Sequence, residues 1–409
     1  MNRMEELRRR AERTIRRDEK CNGKIDFSKY DFGQPEKGEL SLSELSEEVR
    51  RKAEQVGVEL KKEINSGTYL QIDHSVVYAD VINYLKKKGV IVMSTSEALK
   101  KLDWVKEYYW RIIPVDMDRY TAITELELRH GYFIYVPPGV KIERPIQACL
   151  FTKRRNVAQP VHNIIIVDEN ASLNLLTGCV TMANEGLHIG VSEFYVKKNA
   201  KVNFIMIHNW SQRYHVRPRT AAIVEQNGVF VSYYVNLYPV QSLQMFPKAY
   251  LRSRARAYIT SVVLGKDSSN VDIGGGIELL EEGSRGEVVS RSIVKDYANV
   301  IMRGLIVGKA PNTRGHLECR GLLLSPNAKG SAIPQLKALT EGTELTHEAA
   351  IGRISEEELY YLMARGFTEE EATSLIVRGF LDVGLEMIPQ QLRSYLKSIL
   401  DLVAKLSKG

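Results

Sequence analysis

The chain has 409 residues, 44% hydrophobic and 26% charged, with a formal net charge of +7. That length suggests two or three domains, and that balance belongs to a globular protein rather than a disordered or fibrous one. No run of 18 apolar residues occurs and the first residues, MNRMEELRRR, lack an apolar stretch behind the charges. A transmembrane helix and a secretory signal are therefore not expected, and a cytoplasmic location is.

The basic excess begins early, at Arg8, Arg9, Arg10, Arg13, Arg16 and Arg17. Glu5, Glu6 and Glu12 are interleaved and no aromatic residues accompany the arginines, so a solvated helical face is the reading, not a nucleic-acid contact. Residues 1 to about 116 look mainly helical. Ser43 to Val58 starts with Ser43 followed by Glu47 and Glu48, and Ile82 to Lys87 and Ser96 to Tyr109 are further helices. Val90 to Met93 is a short apolar run between them, strand-like in character.

From about Tyr120 short β-rich runs follow one another, broken by Asn, Gly and Asp. They repeat. Val167-Asp-Glu-Asn170-Ala171-Ser-Leu173 is echoed by Val196-Lys-Lys-Asn199-Ala200-Lys-Val202 and by Val224-Glu-Gln-Asn227-Gly228-Val-Phe230. The steps are 196 − 167 = 29 and 224 − 196 = 28, and weaker echoes begin at Leu251, Leu280 and Val307. Asn and Gly tolerate the left-handed backbone of a tight corner. A β repeat of this period without intervening helices predicts a right-handed parallel β-helix, one turn per repeat, over residues 117–350. The fold class is thus mainly β, with helical domains at 1–116 and 351–409. In the last segment Ser355 with Glu358 and Thr368 with Glu371 read as capping boxes, and Gly366 and Gly379 as helix ends.

The four cysteines, Cys21, Cys149, Cys179 and Cys319, form no CxxC pair, which fits a reducing compartment and no disulfide framework. Cys319, His347 and Glu348 carry the side-chain types that bind iron or zinc. Cys319 and His347 lie 347 − 319 = 28 residues apart, one repeat, so they are expected in one column on adjacent turns. Cys179 falls in the same phase, since 319 − 179 = 140 = 5 × 28. The spacing leaves two readings open: a Cys/His metal pair, or an inert core cysteine beside a surface histidine. Cys21 and Cys149 read as small hydrophobes, and His208 and His316 as structural residues. The last turns leave unpaired strand edges, a natural place for a second chain. Gly274-Gly275-Gly276 lacks the Lys and Ser/Thr of a phosphate loop, and no nucleophilic triad or carboxylate pair is recognisable.

Ser75-Val-Val-Tyr-Ala79, Lys88-Gly-Val-Ile-Val-Met93, Val105-Lys-Glu-Tyr-Tyr109, Phe133-Ile-Tyr-Val-Pro-Pro-Gly-Val-Lys141, Gly178-Cys179, Asn209-Trp210, His347-Glu348-Ala349 and the stretch Gly366 to Gly379 come in an order that resembles the SufB/SufD family of iron–sulfur cluster assembly scaffolds, SufB more than SufD. The resemblance spans roughly residues 70 to 390. It implies a scaffold rather than an enzyme, with a β-helix that pairs with a second chain and C-terminal helices that bind the ABC-type ATPase SufC. It implies that Cys319, His347 and Glu348 hold a transient cluster and that Cys179 accepts sulfur from a donor, with delivery to apo-proteins. The implied second chain is another copy, as a homodimer, or a SufD-like paralogue. Flavin has been suggested for related complexes, but no motif here supports it. Thr346 stands where SufB usually has an acid, His208 where a Gln is common and Gln226 where a Lys is expected, so sulfur is expected to arrive differently, for example as free sulfide. The N-terminal part looks shorter than in bacterial SufB. The alternative is a SufD-like structural partner without a cluster; Cys319 argues against it. A carbohydrate-active β-helix enzyme is disfavoured by the lack of a carboxylate cluster.

Overall fold

The computed structural model describes residues 3–18, 25–33, 44–60, 66–128 and 130–407. Cys21 and Ser43, both singled out in the sequence, lie outside them. The chain opens with helix α1 (Arg3–Asp18), whose Leu7 and Ala11 are buried. Arg8, Arg9, Arg13, Arg16 and Arg17 face solvent, and Arg10 pairs with Asp116 at 2.5 Å. Helix α2 (Glu47–Glu54) is capped by Ser46, whose side chain accepts from Val49 N.

Two strands interrupt the helical reading of the first 116 residues, and a third falls on the strand-like run Val90 to Met93. β1 (Gly67–Ile72) and β2 (Ser75–Val81) form an antiparallel hairpin. β3 (Ile91–Ser94) follows α3 (Asn83–Lys87), and Ser94 caps α4 (Thr95–Lys101) by accepting from Glu97 N. α5 (Arg119–Leu126) has a capping box between Asp118 and Thr121. It leads to β4 (Tyr132–Val136), which pairs antiparallel with β3.

The parallel β-helix then winds in turns of two strands. They are β5 (Ile146–Thr152) with β6 (Val157–Val167), and β7 (Ser172–Thr181) with β8 (Glu185–Val196). The next turns run β9 (Lys201–Asn209) with β10 (Arg213–Val216) and β11 (Arg219–Val224), then β12 (Val229–Asn236) with β13 (Ser242–Gln244) and β14 (Lys248–Leu251). β15 (Arg256–Gly265) with β16 (Asn270–Leu279), β17 (Arg285–Val294) with β18 (Asn299–Gly308), and β19 (Arg314–Leu323) with β20 (Lys329–Ala338) complete it, and β21 (Glu344–Arg353) is the last half-turn. One face is a 10-stranded sheet in the order β2-β1-β5-β7-β9-β12-β15-β17-β19-β21, and the other is 11-stranded. Because β1 pairs in parallel with β5, the N-terminal segment supplies the first strand of the β-helix wall.

The predicted corners are the corners found. Asn170, Asn199 and Asn227 have φ of 58°, 56° and 56°, and their side-chain amides form a ladder with 3.0 Å bonds from Asn199 to Asn170 and from Asn227 to Asn199. The left-handed position recurs at Arg254, Gly283, Asn312 and Gly342. The last three steps are therefore 29, 29 and 30 residues (283 − 254, 312 − 283, 342 − 312). The sequence echo placed at Val307 belongs at Lys309, two residues later.

Side chains alternate across each strand, so the β-helix has a filled interior and two outer faces. The interior core runs from Tyr69 to Ala328 and holds Cys179 and Cys319. The outer face of the 10-stranded sheet, including Cys149, is covered by α2 and by the C-terminal helices through Val377, Leu381, Leu396, Ile399 and Val403. Gly178 permits this close cover, since a Cβ there would lie 2.4 Å from Val56 Cγ2. The other outer face is covered by α1, α4 and the 103–115 segment. Glu193 anchors that segment, its buried carboxylate accepting from Trp110 N (2.9 Å), Ile112 N (2.5 Å) and Ile113 N (3.0 Å) and pairing with His162 at 2.8 Å. A buried carboxylate fully engaged in this way fixes position rather than offering chemistry.

The C-terminal helices are α6 (Glu356–Met363), α7 (Glu369–Leu381) and α8 (Gln390–Leu406). The capping box at Thr368 and Glu371 forms in full, but the Ser355 side chain makes no cap bond. Gly366 takes the left-handed conformation after α6, whereas Gly379 lies inside α7. No helix among the described residues is long and apolar enough to cross a membrane.

Candidate functional site

Register decides which predicted site residues meet. On the last pair of strands Arg314 lies opposite Glu344, a step of 344 − 314 = 30 residues. Cys319 therefore faces Ala349, and His347 faces Leu317. The single column expected from a 28-residue period is not formed, because the two last corners are longer than the average repeat. Cys319 and His347 still share the inward side, on adjacent strands and offset by two residues, about 8 Å between backbones. Glu348 lies opposite Glu318 and points to the outer side. The same slip separates the two cysteines: Cys319 aligns through Ser290, Ser261, Tyr234 and Met206 with Thr177, two residues from Cys179. Both thiols point inward, five strand steps apart along one sheet, about 24 Å.

The terminal region is built as follows. Cys319 has no exposed surface, and burial, with Glu318 adding to it, pushes its thiol up to about 11 despite the opposing Arg291. Its cover is thin: β21 is exposed or half-buried at every position, His347 and Glu348 included. On the outer side Glu318 pairs with Arg291 and with Arg320 (2.8 Å), and Arg320 pairs with Glu348 at 2.6 Å. Arg291 also sits over the Phe380 ring of α7, 5.5 Å from its centre, which ties the charged outer side to the C-terminal helices. His316, Glu318 and Glu348 bring one ligand atom each within 4.8 Å of one another, a mixed imidazole–carboxylate cluster. His316 Nδ1 is 2.9 Å from Thr346 Oγ1, so Thr346 occupies this cluster's edge. The set Cys319, His347, Glu348 is thus divided between the two sides of the sheet formed by β19 and β21, and His316 and Glu318 join it on the outer side. Parity carries that signal in the sequence, since residues 347 and 348 cannot face the same way on a strand.

A second constellation lies deep inside. Cys179 on β7 is the register partner of His208 on β9, and His188 on β8 approaches from the opposite wall. Ligand atoms of the three all lie within 4.8 Å of one another, and all three residues are buried. Burial drives the histidines toward their neutral forms, His188 to about 3 and His208 well below the ordinary range. It also holds the Cys179 thiol well above its ordinary value. The surrounding interior is unusually polar, with Tyr132 bonded to Thr177 (3.0 Å) and Tyr214 to Thr152 (2.7 Å) and Thr181 (2.9 Å). His208 Nε2 and Trp210 Nε1 have no hydrogen-bond partner among the described residues. Unpartnered buried polar atoms cost about 1–3 kcal/mol each, so His208 is not the satisfied structural residue its sequence context suggested. A step of 208 − 179 = 29, one repeat, was the signal for the Cys179–His208 neighbourhood.

Residues 150–380 match the SufBD core domain of the SUF system for iron–sulfur cluster assembly, and residues 60–148 match the SufBD N-terminal region. The chain belongs to the SufBD family of iron–sulfur cluster assembly proteins. It is 42% identical over 372 residues to an iron–sulfur cluster assembly SufBD family protein of Archaeoglobus fulgidus, covering 90% of this chain and 97% of that one. A SufBD family protein of Methanothermobacter thermautotrophicus is 38% identical over 410 residues, covering 96% and 98%. The iron–sulfur cluster assembly protein SufB of Bacillus subtilis is 30% identical over 374 residues, covering 90% of this chain and 80% of that one.

Proposed function

We propose that this protein is a SufB-like scaffold on which an iron–sulfur cluster is assembled at the open end of the β-helix and then released to apo-proteins. The observation that carries the reading is the placement of Cys319: an inward thiol one strand from the exposed terminal edge. Its raised pKa keeps it protonated until iron approaches, and metal binding supplies the thiolate. His347, exposed on the same side of the adjacent strand, supplies a second ligand. Glu348, with His316 and Glu318, offers hard oxygen and imidazole donors to iron on the outer side. Too few donors converge from one chain to hold a cluster firmly, which suits release and a site completed by a second chain.

The edges of β20 and β21 favour that second chain. Ten-residue strands with unpaired backbone groups are ready to pair. The partner in this reading is another copy of this chain or a SufD-like paralogue. Exposed Tyr360, Tyr361, Met363, Phe367 and Leu375 on and beside α6 and α7 offer an apolar surface to a SufC-type ATPase. ATP hydrolysis belongs to that partner, and the scaffold itself catalyses nothing. Cys179, enclosed and protonated, is positioned to carry sulfur only if the interior opens. A cytoplasmic setting fits the free thiols of Cys149, Cys179 and Cys319.

Glu348 favours the second reading, a structural partner that organises the ATPase without a cluster, because it is paired with Arg320 and faces away from Cys319. Anaerobic reconstitution with iron and sulfide, with and without the ATPase, separates the two. Comparable iron and sulfide per dimer, lost in Cys319→Ala, supports the scaffold. A folded protein that retains neither under any condition leaves the structural partner.

A further inference from the structure

We propose that Cys179, His188 and His208 form a buried site for one divalent, borderline-soft transition-metal ion such as zinc or iron(II), separate from the terminal site. This goes beyond the scaffold reading and does not depend on it. One thiol and two imidazoles within 4.8 Å of one another are close to a three-ligand set; a tetrahedral ion needs donors roughly 3.5 Å apart, reached by small side-chain rotations. The fourth position falls to an exogenous ligand, as in zinc sites that keep one place open.

The second observation is independent of that clustering. His208 is fully buried, yet its Nε2 has no hydrogen-bond partner among the described residues. Its Nδ1 lies 3.0 Å from the Tyr234 hydroxyl, which accepts from Nδ1–H in the tautomer that leaves Nε2 a lone pair. The other imidazole is oriented in the same sense. Gln159 Nε2 donates to the Asp73 and Phe151 carbonyls at 2.9 and 3.1 Å, so its Oε1 must be the atom that faces His188 Nδ1 at 3.1 Å. An oxygen there requires Nδ1–H, and His188 Nε2 is left as a free donor of electrons. Outer partners that accept from one ring nitrogen and aim the other are how metal-binding histidines are held. Neutral imidazoles, enforced here by burial, are the ligating form. The thiol is protonated in the empty site, and metal binding expels that proton. Trp210 Nε1, buried beside the triad with no acceptor, is a donor for an anionic fourth ligand. All three side chains are buried, so the ion enters as the chain folds.

The test uses full-length protein produced in cells supplemented with cobalt, a spectroscopic stand-in for zinc, and purified without chelators. The expected result is about one cobalt per chain, with a thiolate-to-cobalt charge-transfer band and the intense visible bands of a tetrahedral ion. Cys319→Ala should leave both unchanged. Cys179→Ser should remove the charge-transfer band, and His208→Gln should lower cobalt content at least tenfold, each with an unchanged circular dichroism spectrum. Should either of those two variants fail to fold, His188→Gln, which keeps an amide toward Gln159, is read in its place. Folded wild-type protein without cobalt, or cobalt retained in full by Cys179→Ser and His208→Gln, overturns the site. Loss in Cys319→Ala alone would place the metal at the terminal strands and overturn it equally.

Discussion

Cys179 and Cys319 point into the same β-helix from the same sheet and neither has exposed surface, yet their settings differ in what surrounds them. Cys179 lies in a turn with walls on both sides, under α2 on one outer face and beside histidines and tyrosines within. Cys319 lies one strand from an open end. The N-terminal end of the β-helix is closed by antiparallel strands β2 and β3, whereas β20 and β21 at the other end pair with no further strand among the described residues. Burial alone does not assign a cysteine its work; what can reach it does. An enclosed thiol can hold what is built in with the fold, and a thinly covered one can hold what must come and go.

The sharpest way to break this comparison is at the open end. Cys319→Ala should abolish retention of iron and sulfide after anaerobic reconstitution while lowering stability by only about 1 kcal/mol, since one small buried side chain is lost. His347→Ala should lower retention less, because the thiol remains. Quantified iron and sulfide beside a denaturant titration check both. Equal loss in a Cys179→Ser protein with Cys319 intact would show the two positions acting as one site.

The enclosed turn should be betrayed by acid. His188 has a folded pKa of about 3 against an ordinary 6.5, so the unfolded chain binds a proton that the folded chain refuses. The contribution is complete above pH 6.5 and is lost as pH falls from there toward 3. By pH 5 the loss amounts to roughly 2 kcal/mol for this residue. His208, also held well below its ordinary value, adds in the same direction. Urea midpoints of the metal-free protein between pH 7 and 5 should fall, and His188→Gln should flatten the slope. A flat wild-type profile would mean that the histidines are solvated and the interior open.

Two glycines compare packed wall with open end. A Cβ on Gly304 would lie 1.9 Å from Leu317 Cδ1, inside the core beside Cys319, while one on Gly352 of β21 would meet nothing within 4 Å. Gly304→Ala should cost about 1–3 kcal/mol by overpacking, and Gly352→Ala should be near neutral in the isolated chain. Thermal unfolding reads both. If Gly352→Ala instead weakens self-association in ultracentrifugation, β21 is the pairing edge.

The sequence carried the architecture because a β-helix repeats its corners. Asn170, Asn199 and Asn227 stand where the backbone turns left-handed, and spacing alone located them. It did not carry the register, because corner loops absorb one or two residues without disturbing the strands: the step that pairs β19 with β21 is 30 residues, and a 28-residue ruler slid His347 into the wrong column. Facing was legible but unread, since Glu348 beside His347 must point the other way. His188 was beyond reach. It meets Cys179 from the opposite wall, nine residues along the chain and across a bend, and no periodicity links residues on two walls.

Glu348 is the finest probe of that division. Its ion pair with Arg320 leaves side chains 38% and 54% exposed, so Glu348→Gln should change stability by less than about 1 kcal/mol. Its expected effect on reconstituted iron is also the smallest of the terminal residues, because the carboxylate lies on the outer side of β21 while Cys319 and His347 lie on the inner. Measured side by side, iron content should fall in the order Cys319→Ala, His347→Ala, Glu348→Gln. If Glu348→Gln loses as much iron as Cys319→Ala, then β21 does not keep this facing when a second chain pairs with it. The strand must then turn its outer carboxylate toward the thiol, and pairing itself would be the step that assembles the ligand set.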